Sequence, residues 1–319
     1  MIFFFSAFLL LAPFAYATPV LKNGETYAAK KELTGAAPAA KALESFYSEM
    51  EMNFESYDPN EPGGLPLIST HTDQRVKNQQ LPKLDPKDPA APKDGFHERV
   101  ELTFERLINS SKVRIPGMKQ LFETKSDLGA ALGSSPFVIR GDGKGNKKVD
   151  NLDRIRADVL AKLSDPIART TVNTLLSESI LLKAGTAPGQ DSSCLSGLAQ
   201  KKPGAKWKFS REEQGIKFDY DCDFQGWAEV SGKKVAVVQV RAGKQRTLRP
   251  QPNGVPGMAE TEGEGVVYWE PESQESLLRM ETRITVEPAE EELKQLKTKG
   301  APIPRNRSVL RHWNHIYGL

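Results

Sequence analysis

Asp219, Asp221 and Asp223 occupy every second position of one short stretch, with Cys222 between the last two. On an extended strand, side chains two apart share a face and lie about 7 Å from each other. Carboxylates so placed could hold a divalent cation or a basic ligand. They could also act as the acid and base of glycoside hydrolysis, which requires one of the pair to have a raised pKa. Lys206 and Lys208 precede them on the corresponding face of a neighbouring run, so a solvated ladder of cross-strand charge pairs accounts for the pattern more simply. An open, hydrated face gives no cause for the raised pKa.

Other catalytic patterns fare no better. The chain has four histidines, His71, His97, His312 and His315. No Gly-x-Ser-x-Gly elbow occurs, and GQDSSCLSG lacks it despite its serines. A Ser–His–Asp set is assembled in space rather than in sequence, so an exported hydrolase stands as the alternative reading. His312 and His315 would share one side of a helix, but zinc needs further ligands and none is adjacent. That tail reads instead as an amphipathic docking segment using Trp313, Ile316 and Tyr317. Gly141-Asp142-Gly143 is followed by no Gly-Lys-Ser/Thr, and the dinucleotide fingerprint fails at Asn146. Asp142, Asn146, Asp150 and Asp153 lack calcium-loop spacing and stand among Lys144, Lys147 and Lys148. No catalytic residue, metal site or cofactor is assigned.

The elements that position these residues come from periodicity. In Pro203–Val240, Ile216, Phe218, Tyr220, Cys222 and Phe224 alternate with polar residues, as in a strand with one dry and one wet face. Trp207 and Phe209 belong to the strand before it. Trp227, Tyr268 and Trp269 extend the aromatic layer. Trp207, Phe218, Tyr220, Trp227, Tyr268 and Trp269 are therefore the candidate ligand-binding residues, lining a groove wherever helices cover that layer only in part. Phe46–Tyr57, His97–Ile108, Val266–Glu270 and Ser276–Glu287 read as further strands, with a helix through Ala39–Met50 competing for the start of the first. Lys112–Phe122 and Phe137–Arg140 are weaker extended candidates. Leu152, Ile155, Val159 and Leu163 follow a capping Asn151 at helical spacing. Asp165-Pro166 starts a second helix to Leu182, with Val172, Leu175, Leu176 and Ile180 as its buried stripe. This helix pair is expected to roof the aromatic layer.

The domain plan follows. Residues 1–17, MIFFFSAFLLLAPFAYA, are uncharged and end on the small-x-small pattern Ala15-Tyr16-Ala17, which predicts a cleaved signal peptide. A buried amino-terminal helix or an uncleaved anchor would be the alternatives. No Cys stands near the cleavage site to carry a lipid. Residues 18–45 form a flexible lead-in and 46–287 an α+β domain. Asp58–Phe96, with seven prolines, is a disordered insertion within it. Residues 288–319 hold a short helix and a basic aromatic tail. With 44 basic and 41 acidic residues interspersed, no general attraction to nucleic acid or anionic lipid is expected, although Arg305, Arg307 and Arg311 could touch phosphates. In an exported protein Cys194 and Cys222 invite a disulfide, worth roughly 3–4 kcal/mol in the chain-entropy model; two free thiols would be the other outcome.

Glu105-Arg106-Leu107, Gly141–Gly143, Pro203-Gly204 with Trp207, and Gly263–Gly265 recur in one order. Over roughly Val100 to Glu287 the chain resembles a family of exported bacterial proteins of unknown function and largely β structure. The resemblance implies no activity and no transferable site residues. The fold class expected is α+β: a twisted antiparallel sheet of about seven to ten strands, half-barrel-like, with a packed helix pair and long polar loops. The function expected is that of a non-catalytic binding or envelope-associated protein, periplasmic or extracellular and soluble. It would hold a hydrophobic ligand or partner segment between sheet and helices, with no membrane span left after signal cleavage.

Overall fold

Alternation does build the strand that begins at Ile216, and eleven more join it. The structure, a computed structural model, describes residues 19–319 except 39–42, 59–63, 89–91, 116–120, 134, 165–168, 170–171, 174–175, 185–193, 196, 214–215, 251–255, 289 and 301–305. The strands are β1 (Phe46–Tyr57), β2 (Ile68–Leu81), β3 (Glu98–Arg114), β4 (Leu121–Asp127), β5 (Phe137–Gly141) and β6 (Lys147–Val149). They continue with β7 (Lys206–Glu213), β8 (Ile216–Val230), β9 (Lys233–Pro250), β10 (Pro256–Glu270), β11 (Glu275–Pro288) and β12 (Asn306–Gly318). All pairings between these strands are antiparallel, in one open sheet ordered β6-β5-β3-β2-β1-β12-β11-β10-β9-β8-β7, with β4 also on β3. Short helices with described bounds accompany it: α1 (Leu128–Leu132), α2 (Leu152–Lys162), α3 (Glu178–Ala184) and α4 (Glu290–Thr298). The fold is β-rich α+β, as the periodicity implies.

Register sorts the side chains onto two faces, named here by two neighbours on β10. Trp269, Ser276, Ile316, Ser48, Val76 and Phe104 are successive cross-strand partners and share the Trp269 face. At its β3–β5 end this face packs Leu102, Phe104, Leu107 and Phe137 under α1, α2, Val172, Leu176 and Leu181. At its β8–β9 end Cys222, Phe224, Trp227 and Val238 lie under Leu33, Ala37, Leu195 and Leu198. The opposite, Tyr268 face buries Tyr268, Leu277, Val235 and Val237 beneath Leu21, with Tyr27 and Ala29 beside them.

Several expectations are corrected here. The helix pair does not roof the aromatic layer of the second half; it sits on β3 and β5. Eight strand spacings, about 38 Å, separate β5 from β8 in the sheet order. An 11-residue helix is only about 16 Å long and starts directly after β6. The start of the second helix, at Asp165-Pro166, and Leu175 lie outside the described residues. Its described end restarts at Glu178, which turns Leu181 inward and leaves Ile180 37% exposed. Asn151 makes no cap hydrogen bond; its Oδ1 accepts from the Val138 N–H and its Nδ2 donates to the Pro136 carbonyl, tying β5 to α2.

Residues 19–38, expected as a lead-in without structure, form a strap across the sheet. The Lys30 N–H donates to the Trp227 carbonyl at 2.7 Å, and the Gln200 N–H to the Ala37 carbonyl at 2.8 Å. β2 falls inside the segment expected to be disordered. Its polar sequence is held by ladders to β1 and β3, and it buries Thr72, Val76 and Asn78. The basic aromatic tail is neither helical nor terminal in space. As β12 it occupies the middle of the sheet, paired with β1 and β11. His312 and His315, an odd number apart on a strand, therefore face opposite ways.

Arg140 on β5 fastens the loop before β3. Its guanidinium donates to Asp94 at 2.6 and 2.9 Å, to the Phe96 carbonyl at 3.0 Å, and to Asp150. Those bonds, with Lys148 beside them, hold the Asp94 carboxyl well below the usual carboxylate range. A group depressed in the folded state contributes its stability above its unfolded pKa and loses it as pH falls through the folded value. Melting temperature should therefore fall as pH drops below about 4. Asp94→Asn should flatten that acid limb in melts recorded across the range.

Candidate functional site

The disulfide sets the local geometry of the aromatic end. Cys194 and Cys222 are joined, with their Cα atoms 5.8 Å apart. The bridge draws Leu195 and Leu198 over the Trp269 face, where they fill the space above Phe224 and Trp227. Trp207 lies so close that a Cβ on Gly197 would stand 2.4 Å from its Nε1. Phe209 and Tyr220 are half-buried with ring centroids 6.1 Å apart. The Trp227 Nε1–H donates to the Gly35 carbonyl at 3.2 Å.

Among the predicted ligand-binding residues, Trp207, Tyr220, Trp227 and Trp269 thus come together on one face. Tyr268 is on the other, meeting Tyr27 edge to face at 5.1 Å. The Phe218 backbone lies in β8 opposite Arg211, and its side chain lies outside the described residues. Trp227, Tyr268 and Trp269 are each at most 3% exposed. They pack against the chain's own strap and disulfide loop, which reads as core. Nothing in the strap's composition signalled this cover, because its contacts come from single residues spaced irregularly along it.

The aspartate row forms the charge ladder its spacing suggested. Lys206 meets Asp223 at 3.3 Å and Lys208 meets Asp221 at 4.0 Å, while Ser210 donates to Asp219. Beside it lies a recess of about 420 Å³ edged by Gln239 and Arg241. The carboxylates alternate with lysines, so the recess carries no net attraction for a cation.

Histidine geometry bears on hydrolysis. His315 is 4% exposed, and its Nε2 lies 2.7 Å from Glu275 Oε1. The same carboxylate accepts the N–H groups of Leu21 at 2.7 Å and Val20 at 2.8 Å. That environment clamps the strap and leaves no approach for water or substrate. His71 Nδ1 contacts Asn53 Oδ1 at 2.8 Å. Among the described residues no three His, Cys, Asp or Glu side chains converge as a metal site.

What periodicity missed lies in the middle of the Trp269 face. Here β1, β12, β11 and β10 present the rows Met50–Asn314–Leu278–Val267, Met52–His312–Met280–Gly265 and Phe54–Leu310–Thr282–Gly263. Met50, Met52, Phe54, Met280, Ile284 and Leu310 are half-buried, and none belongs to a core cluster. Val267 and Leu278, at one corner, belong to the loop-covered cluster; with that corner included, four strands and three rows make a strip about 14 Å wide and 14 Å long. It separates the helix-covered end from the loop-covered end. Methionine is unbranched and polarizable, so three methionines give the strip a surface that adapts to varied apolar shapes. The only sequence signal was the alternation of β1 and β11, which says that one face is apolar but not whether anything covers it.

Compared with models of known protein families and with curated protein sequences, the chain matches none.

Proposed function

We propose that this chain is an exported, non-catalytic binding protein of the bacterial envelope, periplasmic or extracellular. It lays a hydrophobic ligand or an extended apolar partner segment along the strip formed by β1, β12, β11 and β10. One observation carries the reading: Met50, Met52, Phe54, Met280 and Leu310, with His312, Asn314 and Thr282 among them, form a half-buried, mostly apolar field between two covered ends of a single sheet. The site differs from the aromatic groove that periodicity suggests, because strap and disulfide loop already fill that groove. The resemblance to exported β-rich proteins is consistent with this reading and adds no activity to it.

A polarity-sensitive naphthalene sulfonate dye tests it. Added to the purified chain, the dye should brighten several-fold on the strip. Met52→Asp with Met280→Asp should reduce that signal to background while the far-ultraviolet circular dichroism stays unchanged. Equal dye binding by the double variant would refute the assignment. Native mass spectrometry of the same preparations should show apolar adducts on the parent chain only.

A further inference from the structure

Formal charge at the centre of the sheet is confined to one face. At the Met50, Met52 and Phe54 rows, the Trp269 face runs through successive register partners from β3 to β8. No described sheet position along it is Asp, Glu, Lys or Arg. The opposite face of the strip's own strands carries Glu51, Glu55, Arg279, Glu281, Arg283 and Arg311. Neutral polar groups at the border of the strip bond one another. Ser48 Oγ donates to Asn314 Oδ1 at 3.1 Å, and Thr72 Oγ1 donates to Asn109 Oδ1 at 3.0 Å. The main chain is equally committed, since β1, β12, β11 and β10 each pair with a strand on both sides.

These features discriminate between occupants. A protein partner needs about 800 Å² on each side of a stable interface, and the strip offers about 200 Å². An extended peptide brings an N–H and a C=O with each residue and finds no strand edge on the strip to pair with. Burying those groups unpaired opposes binding. A charged group would shed its hydration with no opposite charge on the floor beneath it. A hydrocarbon chain makes none of these demands. We infer that the strip takes the alkyl tail of a single-chain lipid, laid along the strands with its polar head beyond the end rows. This rests on the strip being the binding site, as proposed above. An extended chain advances about 1.2 Å per bond, so about twelve methylenes span a floor about 14 Å long. Met50, Met52 and Met280 adapt to such a tail without imposing a fixed shape on it.

Displacement of the naphthalene sulfonate dye by n-alkyl maltosides of about eight to fourteen carbons, each below its micelle concentration, tests the assignment. A tail lying on a sheet face buries about half its surface, so each methylene up to about the twelfth should strengthen binding about twofold. Longer tails should gain nothing more. Phe54→Ser with Leu310→Ser removes one end row and should leave the series flat throughout, with circular dichroism unchanged. A short blocked Leu-Val peptide should bind at least about tenfold more weakly than the dodecyl chain. Dodecanoate should match dodecyl maltoside within about threefold, because the head lies off the floor. Affinity independent of tail length would overturn the inference and leave the strip as a binding site. Peptide binding as tight as the dodecyl chain, or a strong preference for either head, would do the same. Absence of dye brightening on the parent chain would instead remove the strip itself.

Discussion

Glu275→Ala is expected to detach the amino-terminal strap and to cost about 3–5 kcal/mol of stability. Glu275 is 2% exposed, and its carboxylate is the shared acceptor for His315 Nε2 and for the N–H groups of Val20 and Leu21. Its removal strands two backbone donors and an imidazole inside the protein, and each unpaired buried group carries its full desolvation cost. Leu21, the strap residue seated on Tyr268 and Leu277, loses its tether at the same time. Urea titration should register the loss of stability, and limited proteolysis should show new cleavage within residues 19–38. Glu275→Gln keeps one acceptor oxygen and should lose less. An unchanged proteolysis pattern for Glu275→Ala would mean that apolar contacts alone hold the strap.

The second large effect belongs to Gly265. A Cβ there would lie 2.2 Å from the Arg279 carbonyl oxygen and 2.9 Å from the Met280 Cα, both main-chain atoms of β11. Glycine in a strand marks such close backbone approach. Gly265→Ala must push β10 from β11 and should destabilise by about 3 kcal/mol or more, beyond ordinary overpacking. Gly263 offers an internal comparison. Its added Cβ would meet the Met280 methyl at 2.7 Å, a side-chain end that can swing away, and backbone only at 3.2 Å. Gly263→Ala should therefore be much milder in thermal melts, and only Gly265→Ala should speed amide exchange along β10 and β11.

Legibility in the sequence followed dryness. β8 could be read because one of its faces is buried, so apolar and polar residues must alternate. The charge ladder could be read for the same reason, since register places Lys206 opposite Asp223 and Lys208 opposite Asp221. β2 and β12 could not. In the centre of the sheet both faces are partly wet, so ISTHTDQRVKNQQL needs no alternation to form a strand. In β12 both faces carry aromatic, aliphatic and polar residues, and the spacing of His312 and His315 suggested a helix that does not exist. The open strip was hidden for a different reason. Periodicity identifies the apolar side of a strand, while its cover comes from distant segments such as Leu33–Ala37 and that of Leu195 and Leu198, which have no period of their own.

The central seat of β12 has a consequence for assembly. Every other pairing joins strands that follow one another closely in the chain, so each half-sheet can zip up from local hairpins. The β1–β12 seam closes a loop of about 250 residues and must wait until β12 has been synthesised. Until then β1 and β11 each present a bare hydrogen-bonding edge, the kind of surface on which chains add to one another. β12 is thus the keystone that turns two meanders into one molecule, and the interval before it arrives is when aggregation competes most strongly with folding.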